Sequence, residues 1–151
     1  ASELEECLAH LAAREVPGSL KRLVRDGLVP RPQEASQASY APKLSKEHGR
    51  LHWQHAAVLL ERQVRAYQPW PGAWFTLTTP KGPRQVTVVA ASAEAGPAAA
   101  PGVVIQADKR DWRVACGSGI LRIETLIPEG KGRMSAADFL RGCPVPAGST
   151  L

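Results

Sequence analysis

The sequence predicts a mainly β protein: a small, partly open barrel of the OB type, with one helix before the strands and a short helix after them. Two observations point there. Five apolar, β-branched or aromatic runs are crowded between residues 73 and 127, separated by Gly- and Pro-rich turns. An amphipathic helical pattern precedes them and a capped apolar stretch follows. Five strands of this spacing also suit a sandwich, and the pattern alone leaves that alternative open. With 151 residues the chain has the length of about one domain.

The elements follow in order. Ser2 and Glu5 have the spacing of a capping box, and Leu4, Cys7, Leu8 and Leu11 fall on one helical stripe. Pro17-Gly18 should end that helix, and Ser19 to Asp26 should form a second, with Leu20, Leu23 and Val24 inward and Gly27 as its stop. Residues 28–43, LVPRPQEASQASYAPK, hold three prolines among small polar residues and read as an extended linker. The barrel domain is therefore expected over 44–151, with 1–27 as a separate helical segment.

A short extended piece is expected at Arg50–Trp53. The strongest helix, at about 54–67, places Trp53, Ala57, Leu60, Val64 and Tyr67 on one face, with Glu61, Arg62 and Arg65 off it. Strands are predicted at Ala73–Thr79, Arg84–Ser92, Gly102–Asp108, Trp112–Gly117 and Ile120–Ile127. Ser135 caps a final short helix that Gly142 stops, with Phe139 and Leu140 inward. Trp53, Trp70 and Trp74 are expected in the core or at hinges.

Charge narrows the function classes. The net charge is +5 and the pI about 9.5. The first 15 residues set Glu3, Glu5, Glu6 and Glu15 against Arg14 alone, while the remainder holds 18 basic and 10 acidic side chains. Such a basic stretch favours polyanions, because Lys and Arg release condensed counterions from phosphates. Lys43, Lys46 and Arg50 line the linker and its exit, Arg62 and Arg65 lie on the helix, and Lys81 with Arg84 brackets the first strand turn. Lys109, Arg110 and Arg113 cluster at another turn beside Asp108 and Asp111, and Lys131 with Arg133 stands in GKGR. Basic groups on successive turns can gather along one rim and track a phosphate backbone; a purely solubilising surface remains the alternative. With aromatics at 5%, charge and shape rather than base readout would govern binding.

Catalytic patterns are weak. His48, His52 and His55 share a helical spacing, but an extended Arg50–Trp53 would spread them, and no fourth ligand is evident; no metal is expected. Cys7, Cys116 and Cys143 have neither metal spacing nor a neighbouring base, and are expected as buried thiols of a reducing compartment. Gly117-Ser118-Gly119 leads into a strand rather than a helix, so it reads as a hairpin connection and not a phosphate loop. No apolar run is long enough for a membrane span, and no basic-then-apolar leader suggests secretion.

Three separated segments carry a resemblance: YAPKLSK at 40–46, ERQVRAYQPWPGAWF at 61–75 and EGKGRMSAADFLRG at 129–142 resemble, in the right order, the C-terminal domain of the methionyl-tRNA formyltransferases. PRPQ at 30–33 resembles that family's interdomain linker, and residues 1–27 the end of its N-terminal domain. The resemblance implies a parent enzyme that moves a formyl group from 10-formyltetrahydrofolate to Met on initiator tRNA in the cytoplasm. Its folate site and Asn, His and Asp trio would lie in the N-terminal catalytic domain, so this stretch should hold no cofactor and no catalytic residue. The expected partners are initiator methionyl-tRNA and that catalytic domain, for a monomer away from membranes. The resemblance places tRNA contacts at Lys43 and Lys46, at Arg65, and at Lys131 and Arg133. Charge and turn position add Arg50, Lys81, Arg84 and Arg113. Two alternatives stand beside this expectation: a module that only docks on and stabilises the catalytic domain, and an independent enzyme.

Overall fold

The computed structural model describes residues 2–27, 29, 31–108 and 110–151, and divides into two compact units, one ending at Leu44 and one spanning Ser45–Leu151. Leu28, Pro30 and Lys109 of the predicted linker, linker motif and basic turn therefore lie outside the described residues.

The first unit is dominated by α1, Ser2–Asp26, one helix of 25 residues rather than the predicted two. Pro17 sits inside it. A proline removes only its own N–H bond and crowds one carbonyl a turn earlier. In a solvated helix rich in Glu, Leu, Ala and Arg, water can serve that carbonyl while propagation continues on both sides. Ser2 is already helical, and the position before it lies outside the described residues. No α1 residue is buried: Leu4, Leu8, Leu11, Leu20 and Leu23 are all exposed, as is Cys7. The inward stripe and the buried Cys7 expected from the sequence are thus corrected, because the stripe finds no apolar partner in its own unit. Among the described residues from Gly27 to Leu44 the chain is exposed and carries one regular element, a 3-10 turn at Ala35–Gln37 flanked by extended Glu34 and Ala38.

The second unit begins with a 3-10 turn, Lys46–Gly49, and α2, Ala57–Ala66, whose Ala57, Leu60 and Val64 are buried as the helical period requires. Six antiparallel strands follow: β1 Ala73–Thr79, β2 Gly82–Glu94, β3 Val104–Ala107, β4 Trp112–Ala115, β5 Ile120–Pro128 and β6 Met134–Ser135. Their order in the sheet is β1-β2-β5-β4-β3, with β6 also on β5. Register slips between Val88 and Ala91 bend the long β2 strand, as bulges do, and curl the sheet into a half-barrel. The last helix, α3, spans Ala136–Gly142, and Ser135 Oγ accepts the Asp138 N–H at 3.0 Å, the predicted cap.

The half-barrel's two open edges are covered locally. Leu51 N–H donates to Trp74 O on β1, and the C-terminal tail pairs with β3 through Val104 N–H to Ser149 O and Gly148 N–H to Val104 O. Covered edges remove the row of free amides that invites strand addition. Gly117-Ser118-Gly119 is the predicted β4–β5 connection, and it also docks on the start of α2. Gly117 N–H donates to Trp53 O and His55 O, and a Cβ at Gly117 would stand 1.9 Å from Gln54 O.

An aromatic chain runs through the core. Trp53 meets Phe75 edge-on at 5.5 Å, Phe75 meets Trp112 at 5.7 Å, and Trp112 stacks on Phe139 at 5.5 Å. Trp112 is fully buried. Of the tryptophans expected in the core or at hinges, Trp53 is in the core and Trp74 is half-buried. Trp70, between two prolines, is 52% exposed and so lies outside the core. Trp112 takes the central place instead.

Burial pushes the Cys116 thiol up to about 11, since an apolar setting disfavours thiolate. The stabilisation from keeping it neutral is complete below the free-thiol range and is lost as pH rises towards 11. An alkylating agent at pH 8 is expected to modify Cys7 at once and Cys116 only on unfolding; equal rates at the two, followed by mass spectrometry, would contradict this burial.

Candidate nucleic-acid interface

The cations are positioned by strand register. Arg84 lies opposite Leu77 on β1, and Lys81 occupies the turn between those strands. β2 runs antiparallel to β5 with Val86 opposite Pro128, so the start of β2 meets the exit of β5. There Glu129 N–H donates to Gln85 O at 2.9 Å and Gln85 N–H donates to Glu129 Oε2 at 3.3 Å. Lys131 N–H turns back onto Pro128 O, and Arg133 immediately precedes β6, whose Met134 lies opposite Leu126. Lys81, Arg84, Lys131 and Arg133 therefore share one end of the sheet. Lys81, Lys131 and Arg133 are exposed, Arg84 is half-buried, and among the described residues no carboxylate forms an ion pair with any of them.

Lys46 and Arg50 belong to a second group. Lys46 O accepts the Trp74 Nε1–H at 2.9 Å, and the Arg50 guanidinium lies 5.9 Å from the Trp74 ring centroid. Trp74 is five residues up β1 from Thr79, which at strand rise is roughly 17 Å from the first group. Arg65 stands on α2 and pairs with Glu61 one turn earlier. Lys43 is exposed near the end of the first unit.

Arg113 is balanced by the fold. It lies opposite Arg122, and Glu94 and Asp111 hold both: Arg113 to Glu94 at 3.1 Å, Arg122 to Asp111 at 2.6 Å. The Asp111 carboxylate raises the basicity of Arg122. Sequence reasoning missed Arg122 and Glu94. A usable signal existed: the tight hairpin at Gly117-Ser118-Gly119 pairs residues 113 and 122, and two arginines facing each other need carboxylates nearby. At the adjoining β3–β4 turn, the Gln106 amide first, then the Arg110 and Asp111 N–H groups, bring Asp108 down to about 2. Among the described residues no cluster of three His, Cys, Asp or Glu is placed to hold a metal, and no helix is long and apolar enough to cross a membrane.

Fold and register together define an OB-like antiparallel half-barrel module that carries unpaired cations at one end of its sheet. The chain belongs to the formyl transferase C-terminal domain family, whose model matches residues 43–144. It is 40% identical over its full length to methionyl-tRNA formyltransferase of Thiobacillus denitrificans and 41% identical to that of Gluconacetobacter diazotrophicus. The chain spans about half the length of these curated relatives, 48% and 47%. Among solved structures it is similar to HypX from Aquifex aeolicus in complex with tetrahydrofolic acid, with a TM-score of 0.59 over 83% of this chain and 22% of that one. At 21% identity that likeness concerns the fold alone.

Proposed function

We propose that this barrel is the tRNA-binding module of a methionyl-tRNA formyltransferase. The parent enzyme would transfer a formyl group from 10-formyltetrahydrofolate to Met on initiator tRNA, with the folate held outside this chain. One observation carries the reading: Lys81, Arg84, Lys131 and Arg133, from two separate turns, come to one sheet end, and among the described residues none of them is in an ion pair, the neighbouring Glu129 carboxylate accepting the Gln85 N–H instead. Uncommitted guanidinium and ammonium groups are the natural contacts for phosphodiesters, and they orient RNA without reading its sequence. Lys43, Lys46 and Arg50 would extend the contact. Arg65 and Arg113 would add less, since Glu61 and Glu94 already occupy them. The chemistry itself would belong to an N-terminal catalytic domain, and the cytoplasm is its expected setting.

A second reading is favoured by the apolar stripe of α1, whose leucines are exposed within this chain: the segment docks on the catalytic domain and the barrel adds stability only. The salt dependence of tRNA binding by this chain separates the two. Each duplex phosphate contact contributes a slope of about −0.9 in log affinity against log salt, so four contacts should give roughly −3.6. Binding whose strength is the same at 50 and 200 mM salt, or no binding at either, would leave only the docking role.

A further inference from the structure

The second cationic group borders a groove of which the tRNA-binding reading uses Arg50 alone. It is an open space of about 480 Å³ between the 3-10 turn and α2. Leu59, Arg62, Gln63 and Ala66, spaced as one stripe of α2, form one wall, and the segment from His48 to His55 forms the other. Gln63 ties the two together, donating from Nε2 to His48 O and Arg50 O, each at 3.0 Å. His55 N–H donates to His52 O at 2.9 Å, and this turn brings the two imidazole rings to 5.9 Å, tilted 55°. His48 is already engaged, since its Nδ1 accepts the Ser45 N–H at 2.9 Å.

The lining is unusual for a solvated surface. Leu59 is 53% exposed, so the groove has an uncovered apolar wall. Arg50 and Arg62 stand beside it, with Glu47 as the one carboxylate among the described lining residues. Two exposed π faces, an apolar wall and two guanidinium groups match one chemistry: a nucleotide whose base is unpaired. A base stacks on imidazole or guanidinium planes, and its phosphate meets the cations. A duplex would present only phosphates here and leave the apolar wall wet.

We infer that this groove is a subsite for a single-stranded nucleotide of the bound RNA, with His52 and His55 against the base and Arg50 and Arg62 at its phosphate. The inference rests on the tRNA-binding reading for its ligand and shares Arg50 with it, but His52, His55 and Arg62 stand apart from the sheet-end cations that carry that reading. It can therefore fail separately.

The test titrates the chain with hexa-adenylate, a 12-base-pair RNA duplex and inorganic phosphate, following the imidazole ring protons of His52 and His55 by NMR. Hexa-adenylate is expected to shift both rings and to lose tenfold or more in affinity in the double variant His52→Ala, His55→Ala. Duplex affinity in that variant should change less than twofold. Both histidines are exposed, and an unchanged melting temperature confirms that the variant folds. Equal binding of hexa-adenylate by the parent and the variant would overturn the subsite, even if tRNA still binds at the sheet end. Equal ring shifts with phosphate alone would reduce the groove to an anion site and overturn the base contact. A Lys81→Ala, Arg84→Ala variant that loses duplex but keeps hexa-adenylate would support two separable sites.

Discussion

Replacing Lys81, Arg84, Lys131 and Arg133 together by Ala is expected to lower tRNA affinity on the order of 1,000-fold at 0.1 M salt. The size follows from counterion release: at about −0.9 per contact, each phosphate contact strengthens binding by nearly a decade between 1 M and 0.1 M salt. The salt slope should become shallower by about 3 to 4 in the same variant. Elongator and initiator tRNA should suffer alike, because phosphate contacts position RNA without naming its bases. Stability should hardly change, since these side chains form no ion pair among the described residues. Arg113→Ala is the contrast. That guanidinium is engaged by Glu94 and Asp111, so its removal should cost RNA affinity little while releasing two carboxylates beside Arg122. Filter binding at several salt concentrations reads both. A quadruple variant that binds as tightly as the parent, with the same slope, would remove the sheet end from any role in RNA binding.

Trp112→Ala carries the largest expected effect on stability, about 3–5 kcal/mol, as large-to-small changes at fully buried aromatics do. Trp112 has neighbours on both sides, meeting Phe75 edge-on and stacking on Phe139. Its loss opens a cavity and also frees the contact that holds α3 on the sheet. For a unit of this size the melting temperature should fall on the order of 15 °C or more. Trp112→Phe should recover most of that. The indole Nε1–H has no hydrogen-bond partner among the described residues, so a phenyl ring gives up volume but no bond. Thermal unfolding followed by circular dichroism measures both variants. A loss under about 1 kcal/mol for Trp112→Ala would mean the aromatic chain does not organise this core.

The sequence made the punctuation legible. β1 was predicted at its observed bounds, and the Ser135 cap, the buried face of α2 and the Gly117-Ser118-Gly119 hairpin all stood out. Each depends on residues a few positions apart, where Gly, Pro, Ser and period-specific apolar spacing act directly on the backbone. Three features were misjudged for the opposite reason. Pro17-Gly18 reads as a helix end, yet one helix runs through it on both sides. β2 runs two residues further at each end than expected, because its pairing with β1 and β5 overrides weak propensity at Gly82, Pro83, Ala93 and Glu94. β6 has only two residues and exists solely as a partner of β5.

By itself the sequence determined the family, the succession from α2 through the first five strands to α3, and the excess of positive charge, since motif order, turn residues and composition are all properties of the linear chain. The tertiary structure alone decided which charges became neighbours. Arg84 and Lys131 are far apart in the chain and come to the same sheet end because β2 and β5 pair in one register. Arg113 looked equally available until the β4–β5 ladder set it between Glu94 and Asp111. An electrostatic surface depends on distances through space, and only the folded register supplies those.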